Sequence, residues 1–396
     1  MQPQPLPGFR DFYPDDLALR NHIFRTWRAV AARYGFEEYD GPPLEPLELY
    51  TAKSGDEIVG QLYHFVDKGG REVALRPEMT PTLARMVAAR ANGLRKPIRW
   101  FSIPQLFRYE RQQRGRLREH FQLNCDLIGE PGPLGDAEII ALAVDAVRAF
   151  GLGPADFRVR ISDRKVLTAL LDSYGVAEAQ LPLVYSVVDK IERMELAQAM
   201  DRLRGGGLAE PVVEGVIRLL ERHDVADIAH DLEFPRGSPG TRNPRASQIV
   251  EPLRRTIDAL DSMGFSDFIE IDLKIVRGLD YYTSTVFELF DVGRTLRAIA
   301  GGGRYDNLLQ ALGGVDLPAL GFGMGDVVLA ELLRERGQVP GEVGRVDIFV
   351  AGVTAEDLPH VLAVVRELRD AGLRVEYALS AQAVGKQLRL ADARNA

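Results

Sequence analysis

The sequence predicts an α+β protein, in which helices flank an antiparallel sheet and a helical insertion interrupts that sheet. Strand-like segments cluster in the first 164 residues and resume near residue 268, whereas residues 165–257 are mostly helical in pattern. Beyond a linker at 338–344, strand and helix alternate to the end of the chain. The predicted divisions are a first part of the core at 1–164, the insertion at 165–257, a second part of the core at 258–337 and a small α/β domain at 345–396.

Length and composition narrow the possibilities further. A chain of 396 residues is too long for one ordinary core, and 46% hydrophobic with 27% charged residues is typical of globular domains. No apolar run approaches the roughly 18 residues of a membrane span, and the N-terminal residues lack the pattern of a signal peptide. The sequence therefore predicts no membrane partner and a cytoplasmic location.

Cysteine and histidine usage argues against a metal site built by the protein alone. Cys125 is the one cysteine, which excludes an internal disulfide and a cysteine-based zinc site. The six histidines show no paired metal-ligand spacing. We therefore predict that Cys125 belongs to the core, and we assign no metal ligands.

The first predicted helix begins at Pro14, from which apolar residues such as Leu19 and Ile23 recur at helical spacing. Gly35 is expected to end it, and a short strand is predicted at 36–39.

A hairpin is predicted next, with Lys68-Gly69-Gly70 at its turn. Beyond it, Glu78 and Thr80 lie where a strand changes to a helix that starts near Met79. A carboxylate and a hydroxyl at such a junction suit an ammonium group, which needs several acceptors. The alternative is that Thr80 only caps the helix.

A second hairpin is predicted within residues 101–129, with arms at 106–111 and 118–128 joined by a loop that contains Gly115. Strand alternation separates the second arm into an apolar face and a polar face. The apolar face comprises Phe121, Leu123, Cys125 and Leu127, and the polar face comprises Gln122, Asn124 and Asp126.

Arginines are concentrated in this hairpin, although the formal net charge of the chain is −8. Guanidinium groups match phosphate oxygens, so the cluster suits a bound polyanion. The alternative is a hairpin whose charges only face water. The arginines are Arg108, Arg111, Arg114, Arg116 and Arg118.

Later segments complete the sheet. A helix is predicted to open at Asp136, and strands are predicted at 157–162 and within 268–291. Between two strands, Arg277-Gly278-Leu279-Asp280-Tyr281-Tyr282 brings together a cation, a carboxylate and two phenols. A simple turn is the alternative there. The glycine run at 301–303 would let a ligand approach the backbone closely.

The order of these segments resembles a known family. F-R-Y-E at 107–110, the basic loop and Q-L-N-C-D at 122–126 resemble motif 2 of class II aminoacyl-tRNA synthetases, in the form found in histidyl-tRNA synthetases. The first helix and strand resemble motif 1, which forms the dimer interface in that family. The family's histidine-specific segments resemble R-P-E-M-T at 76–80, V-R-G-L-D-Y-Y at 276–282 and G-G-R-Y-D at 302–306.

The resemblance implies an activity and its participants. It implies a class II synthetase-type sheet, ATP with Mg²⁺, histidine, tRNA(His) and a homodimer. Catalysis would fall to Arg277 and Arg108, and ATP would be bound by Arg108, Glu110 and Arg116. Histidine binding is implied for Glu78, Thr80, Gln122, Asp126, Arg277, Tyr281, Tyr282 and Tyr305. Contacts with tRNA are implied for Gln113, Arg114 and Arg118.

Two departures from the family pattern favour an alternative. Motif 3 normally ends in an arginine that stacks on adenine, but Val328 occupies that position here. The C-terminal segment resembles only the first part of an anticodon-binding domain, so a partial domain is expected. Both features suit a catalytically silent histidine-binding paralogue, similar to the regulatory subunit of ATP phosphoribosyltransferase. The intact F-R-Y-E-R and R-G-L-D-Y-Y segments favour the synthetase.

Overall fold

A computed structural model gives the fold for residues 4–51, 60–110, 113–234, 242–277, 281–340, 346–394 and 396. The chain divides into two compact units, one formed by Met1–Arg10 with Ile23–Gln338 and the other by Asp11–His22 with Val339–Ala396. The predicted limits of the insertion, the core parts and the small domain remain predictions. Gly278, Leu279, Asp280, Arg111, Gln112 and most of the predicted linker lie outside the described residues.

The strands are β1 Glu37–Glu38, β2 Leu44–Pro46, β3 His64–Val66, β4 Glu72–Leu75, β5 Ile98–Ser102, β6 Gln105–Phe107, β7 Glu119–Ile128, β8 Phe157–Asp163, β9 Ile269–Ile271, β10 Thr285–Asp291, β11 Ala300–Arg304, β12 Ala319–Gly325, β13 Ile348–Val350 and β14 Val375–Tyr377. The helices are α1 Pro14–Arg33, α2 Leu47–Thr51, α3 Thr80–Arg90, α4 Pro133–Arg148, α5 Arg164–Ser173, α6 Leu181–Val188, α7 Leu196–Gly205, α8 Glu210–Leu219, α9 Val225–Glu233, α10 Ala246–Ser262, α11 Leu308–Gly313, α12 Asp326–Glu335, α13 Leu358–Asp370 and α14 Val384–Ala393.

The central sheet of the larger unit has the strand order β1-β5-β7-β12-β11-β10-β8-β9, with β6 paired to β7. Its middle is antiparallel, as predicted, whereas the two end pairs, β1 with β5 and β8 with β9, are parallel. A smaller antiparallel sheet contains β2, β4 and β3, which confirms the first predicted hairpin. The pairing of β6 with β7 confirms the second.

The two faces of β7 differ as the alternation predicted. Leu123, Cys125 and Leu127 are fully buried, and a Cβ on Gly135 of α4 would lie 3.4 Å from Leu127, so α4 covers the apolar face. Burial of this aliphatic surface is the main stabilising contribution at this position. The opposite, polar face of β7 borders a cavity.

One predicted helix limit was wrong. The helix predicted to open at Asp136 begins at Pro133, because proline at the first helical position has a preset φ and needs no backbone donor. Asp136 instead lies inside the first turn and pairs with Arg304 at 2.8 Å. The helix α10 spans Ala246–Ser262, and the predicted end of the insertion at residue 257 stays a prediction.

In the smaller unit, β13 and β14 are parallel and are connected through α13. Val361, Val365 and Val375 form its apolar cluster. The predicted alternation of strand and helix is confirmed for the described residues of this unit.

Candidate active site

A cavity of about 440 Å³ lies on the polar face of the central sheet. Polar residues from distant parts of the chain converge on this cavity. The local sequence alone does not show that these residues lie close together. It is lined by eleven residues that the sequence singled out, namely Glu78, Thr80, Arg108, Glu110, Arg116, Gln122, Asp126, Arg277, Tyr281, Tyr282 and Tyr305.

Three other predicted residues do not line this cavity. Gln113 and Arg114 line a neighbouring cavity of about 750 Å³, which shares Arg277 with the first. Arg118 is not among the lining residues of either. Its guanidinium carbon lies 4.2 Å from the ring centroid of Tyr109 instead.

The register of β7 with β12 sets the length of the cavity. Asp126 lies opposite Gly321, and Gln122 lies opposite Gly325. At about 3.4 Å per residue, these two levels are about 14 Å apart along the strands. Two ligands laid end to end, one at each level, could therefore share the cavity.

A buried carboxyl and three phenols form the end of the cavity at the Gly321 level. The hydroxyl of Tyr305 donates a hydrogen bond to Oδ1 of Asp126. Burial raises the pKa of Asp126 to about 7, and the bond from Tyr305 opposes that rise. The ring centroid of Tyr281 lies 4.9 Å from that of Tyr282 and 5.8 Å from that of Tyr305. Together these groups can hold a flat polar ring through both its faces and its N–H groups.

Glu78 and Thr80 lie beside this aromatic group, at the junction between β4 and α3. The hydroxyl of Tyr281 donates to Oε2 of Glu78 at 3.4 Å. Met79 occupies the N-cap position of α3 without a side-chain capping bond, and Thr80 is the first helical residue. The alternative that Thr80 caps the helix is therefore wrong, and both acceptors face the cavity.

Arg277 is held by an acid and a ring. Its Nη1 lies 2.6 Å from Oε1 of Glu288, and its guanidinium carbon lies 5.7 Å from the ring centroid of Tyr282. The residue adopts a φ of 58°, which is unusual without glycine and marks local backbone strain. A Cβ at residue 301 would overlap Nη1 of Arg277, so glycine is needed there.

Glu110 is the centre of the second cationic group. It is buried, it pairs with Arg116, and its Oε1 lies 4.0 Å from Nη1 of Arg108. Nε of Arg108 donates to the carbonyl of Pro77 at 2.9 Å. This arrangement fixes two cations at the middle of the cavity, where charge on a phosphate could be neutralised.

Carboxylates also line this part of the cavity, which matters for a divalent metal. Glu110 and Glu288 supply the oxygen donors that Mg²⁺ prefers, and Mg²⁺ is usually held by one or two carboxylates together with substrate phosphates. The donor set therefore fits Mg²⁺ that arrives with a nucleotide. No group of three or more histidine, cysteine or acidic residues that could hold a metal occurs in the part of the chain that the structure describes.

The tip of the hairpin is tied to α12. Arg114 pairs with Glu335 at 2.6 Å and with Glu331 at 3.7 Å. Gln113 accepts a hydrogen bond from Arg297. The exposed charges of the tip are thus held at the mouth of the two cavities.

Asp326, which follows the glycine-rich strand β12, connects three parts of the core. Oδ1 accepts from the backbone N–H of Phe121 at 2.8 Å, and Oδ2 lies 2.9 Å from Nη1 of Arg10. Arg10 also pairs with Glu119 at 2.6 Å. Desolvation raises the pKa of Asp326 despite these partners. The start of α12 is therefore fixed against β7, and Val328 is buried just beyond it.

Sequence reasoning missed several lining residues. His120 shares the strand face of Gln122, Asn124 and Asp126, so strict alternation could have identified it. Burial, followed by the charges of Arg108 and others, lowers the pKa of His120 to about 3, so its ring is neutral. No local signal marked the other lining residues, which include Asp189, Arg193, Glu288 and Arg297.

No helix among the described residues is long and apolar enough to cross a membrane.

Comparisons with known proteins agree with this site. The family model described as histidyl-tRNA synthetase matches residues 8–326. A histidine–tRNA ligase of Opitutus terrae is 49% identical over 389 residues, which are 98% of this chain and 88% of that protein. A histidyl-tRNA synthetase structure from Nostoc superposes with a TM-score of 0.84 at 27% identity and covers 100% of this chain and 90% of the other.

A structure from Bacillus halodurans, described as an ATP phosphoribosyltransferase regulatory subunit/histidyl-tRNA synthetase, has a TM-score of 0.81 and covers 98% of this chain and 97% of its own. At 22% identity it shows the shared fold alone. The family model and the curated relative, in contrast, are similar in sequence over most of the chain. The chain therefore belongs to the histidyl-tRNA synthetase family, with the α+β fold of the class II aminoacyl-tRNA synthetases.

Proposed function

We propose that this chain activates histidine with ATP and transfers the histidyl group to tRNA(His), through the residues that line the 440 Å³ cavity. In the first step a carboxylate oxygen of histidine attacks the α-phosphorus, and the bond to the bridging oxygen breaks to release pyrophosphate. In the second step a ribose hydroxyl of the tRNA attacks the carbonyl carbon, and AMP leaves. The observation that carries the proposal is the convergence of eleven of the fourteen predicted site residues on one cavity.

Histidine binds at the Gly321 level. The imidazole ring contacts Tyr282 and Tyr305 and donates an N–H to Asp126, while Glu78, Thr80 and Gln122 accept from the ammonium group. Buried polar groups of this kind reject a ligand that leaves them unpaired. The aromatic and acidic groups described above support this assignment.

ATP binds toward the Gly325 level, with its phosphates at the cations in the middle of the cavity. Arg108 and Arg277 neutralise the charge that develops at the α-phosphate, and Arg116 lies nearer the leaving pyrophosphate. Glu110 and Glu288 would supply carboxylate oxygens to Mg²⁺ that arrives with ATP, and the ion would neutralise further phosphate charge. Positioning and electrostatic stabilisation account for this step without a protein nucleophile.

The acceptor end of the tRNA approaches past the hairpin tip. Gln113 and Arg114 line the neighbouring cavity, whose other lining residues include Arg193, Lys274 and Arg294. A cationic surface of this kind makes nucleic-acid binding dependent on salt. A homodimer and a cytoplasmic location complete the proposal, and both follow from family membership.

Histidine-dependent exchange of labelled pyrophosphate into ATP tests the proposal. The native chain should catalyse exchange, and Arg277→Ala should lower it by roughly two to three orders of magnitude, as loss of a charge-stabilising donor does in other enzymes. The matched control is Arg158→Ala, because Arg158 pairs with Glu270 at 3.5 Å outside the cavity. Tight histidine binding without exchange in the native chain would instead favour the regulatory paralogue.

A further inference from the structure

Valine at position 328 leaves the start of α12 without an arginine that faces the nucleotide end of the cavity, but a different arginine lies close to this position. The hydrogen bond from the backbone N–H of Gly325 to the carbonyl of Ile299 continues the pairing of β12 with β11. Arg297, two residues before Ile299, therefore lies beside the start of α12. On the other side of β12, the pairing of Gln122 with Gly325 brings His120 to the same level.

The side chains of Arg297 and Val328 converge under the turn of the hairpin. A Cβ built on Gly115 would lie 3.3 Å from Cγ2 of Val328 and 3.7 Å from Cδ of Arg297. Both residues line the cavity, together with Val327 and His120. The long stem of Arg297 thus brings a guanidinium into the space beside residue 328 from the loop that precedes β11.

The charge of Arg297 is not committed to a carboxylate. Among the ion pairs of the described residues none includes Arg297, whose one hydrogen bond there is to the amide oxygen of Gln113. Its pKa is lowered by partial burial and by the nearby cation of Arg193. By comparison, Arg294, on the same loop, pairs with Glu192 at 3.2 Å. Arg297 therefore presents to the cavity a half-buried guanidinium that no carboxylate neutralises among the described residues, and this group is available to contact a ligand.

The surroundings of Arg297 select the class of ligand. Val327 and Val328 are apolar, and the ring of His120 is neutral, so this end of the cavity suits an uncharged flat ring. A planar guanidinium stacks on the face of such a ring. The cations that suit phosphates, Arg108 and Arg116, converge on Glu110 instead.

We propose that Arg297 stacks on the adenine ring of ATP and takes the place of the arginine that Val328 replaces. This assignment rests on the proposed function, since it requires ATP to occupy the cavity. Arg297 then determines affinity for the base, whereas Arg108 and Arg277 act on the phosphates. The contact is supplied by the loop between β10 and β11 rather than by α12.

Calorimetric titration of the full chain with adenosine, ATP and histidine tests this assignment. Arg297→Ala should weaken adenosine and ATP binding by a similar factor of about ten and leave histidine affinity unchanged. Arg297→Lys should recover little of the loss for adenosine, because lysine lacks the planar group. The control Arg158→Ala, which lies outside both cavities and removes a pair with Glu270, should bind all three ligands as the native chain does.

Three outcomes would overturn the assignment. A variant that loses ATP affinity but keeps adenosine affinity would place Arg297 on the phosphates. Full recovery by Arg297→Lys would mean that charge alone is sufficient. Equal loss of histidine affinity would mean that Arg297 only supports the fold. Adenosine affinity is measured without catalysis, so a native chain that lacks pyrophosphate exchange would contradict the proposed function separately.

Discussion

The hydroxyl of Tyr305 donates a hydrogen bond to Asp126 across the strand that separates them. Asp126 belongs to β7, Tyr305 follows β11, and Gly321 of β12 lies between, opposite Asp126 in the register. A Cβ at residue 321 would overlap Oδ1 of Asp126. The bond therefore depends on three strands at once, and it places a carboxyl with a pKa of about 7 at the histidine end of the cavity.

Histidine binding should strengthen roughly tenfold as pH rises from about 6 to 8. Asp126 loses its proton as the pH rises past its pKa of about 7. A carboxylate accepts a hydrogen bond from an imidazole N–H more strongly than a carboxylic acid does. Asp126→Asn should keep only the titration of the ligand's own imidazole, near 6.5. Calorimetry across this pH range measures both profiles. Native and variant profiles that run in parallel would contradict a role for Asp126.

The same substitution should stabilise the unliganded chain at high pH. The folded pKa of Asp126, about 7, lies above the roughly 3.9 of an unfolded aspartate, so native stability falls as pH rises through that window. Asparagine does not titrate. We expect Asp126→Asn to be more stable than the native chain at pH 8, by a margin that narrows by about 3 kcal/mol at pH 5. Denaturant unfolding measures this margin, and one that is constant with pH would disprove the shift.

Gly301→Ala should impair activation of histidine without unfolding the protein. The added methyl would occupy the space of Nη1 of Arg277 and displace it from Glu288. We expect pyrophosphate exchange to fall roughly a hundredfold, because catalysis is sensitive to displacements of about 1 Å. Gly153→Ala is the control, since a Cβ there meets nothing within 4 Å. Unchanged exchange in Gly301→Ala, alongside a control of equal activity, would show that the position of Arg277 is not critical.

Arg10→Met should destabilise the larger unit by about 3 kcal/mol at neutral pH. The substitution keeps the apolar stem but leaves the buried carboxylates of Glu119 and Asp326 without their shared cation. In the control, Arg28→Met, the lost pair with Glu38 is exposed, and the expected change is below about 1 kcal/mol. Chemical denaturation of both variants compares the two. Equal changes would mean that the buried network contributes no more than a surface pair.

The sequence by itself determined much of this protein. The alternation along β7 separated the core face from the cavity face, because strand side chains point to opposite sides with a period of two residues. Motif order identified eleven of the residues that line the cavity, since each motif carries its own residue types. The start of α4 was missed by three residues, because Asp136 resembled an opening acid while its carboxylate is used by Arg304.

Only the tertiary structure decided which charges remain available to a ligand. Arg114 and Arg297 look alike in the sequence, yet Arg114 pairs with Glu335 while Arg297 bonds only an amide oxygen among its described partners. The bond from Arg10 to Asp326 joins residues 316 positions apart. A local sequence pattern does not reveal such ion-pair partners, because the partners come from distant segments. The register of the strands determines which of these segments lie close together.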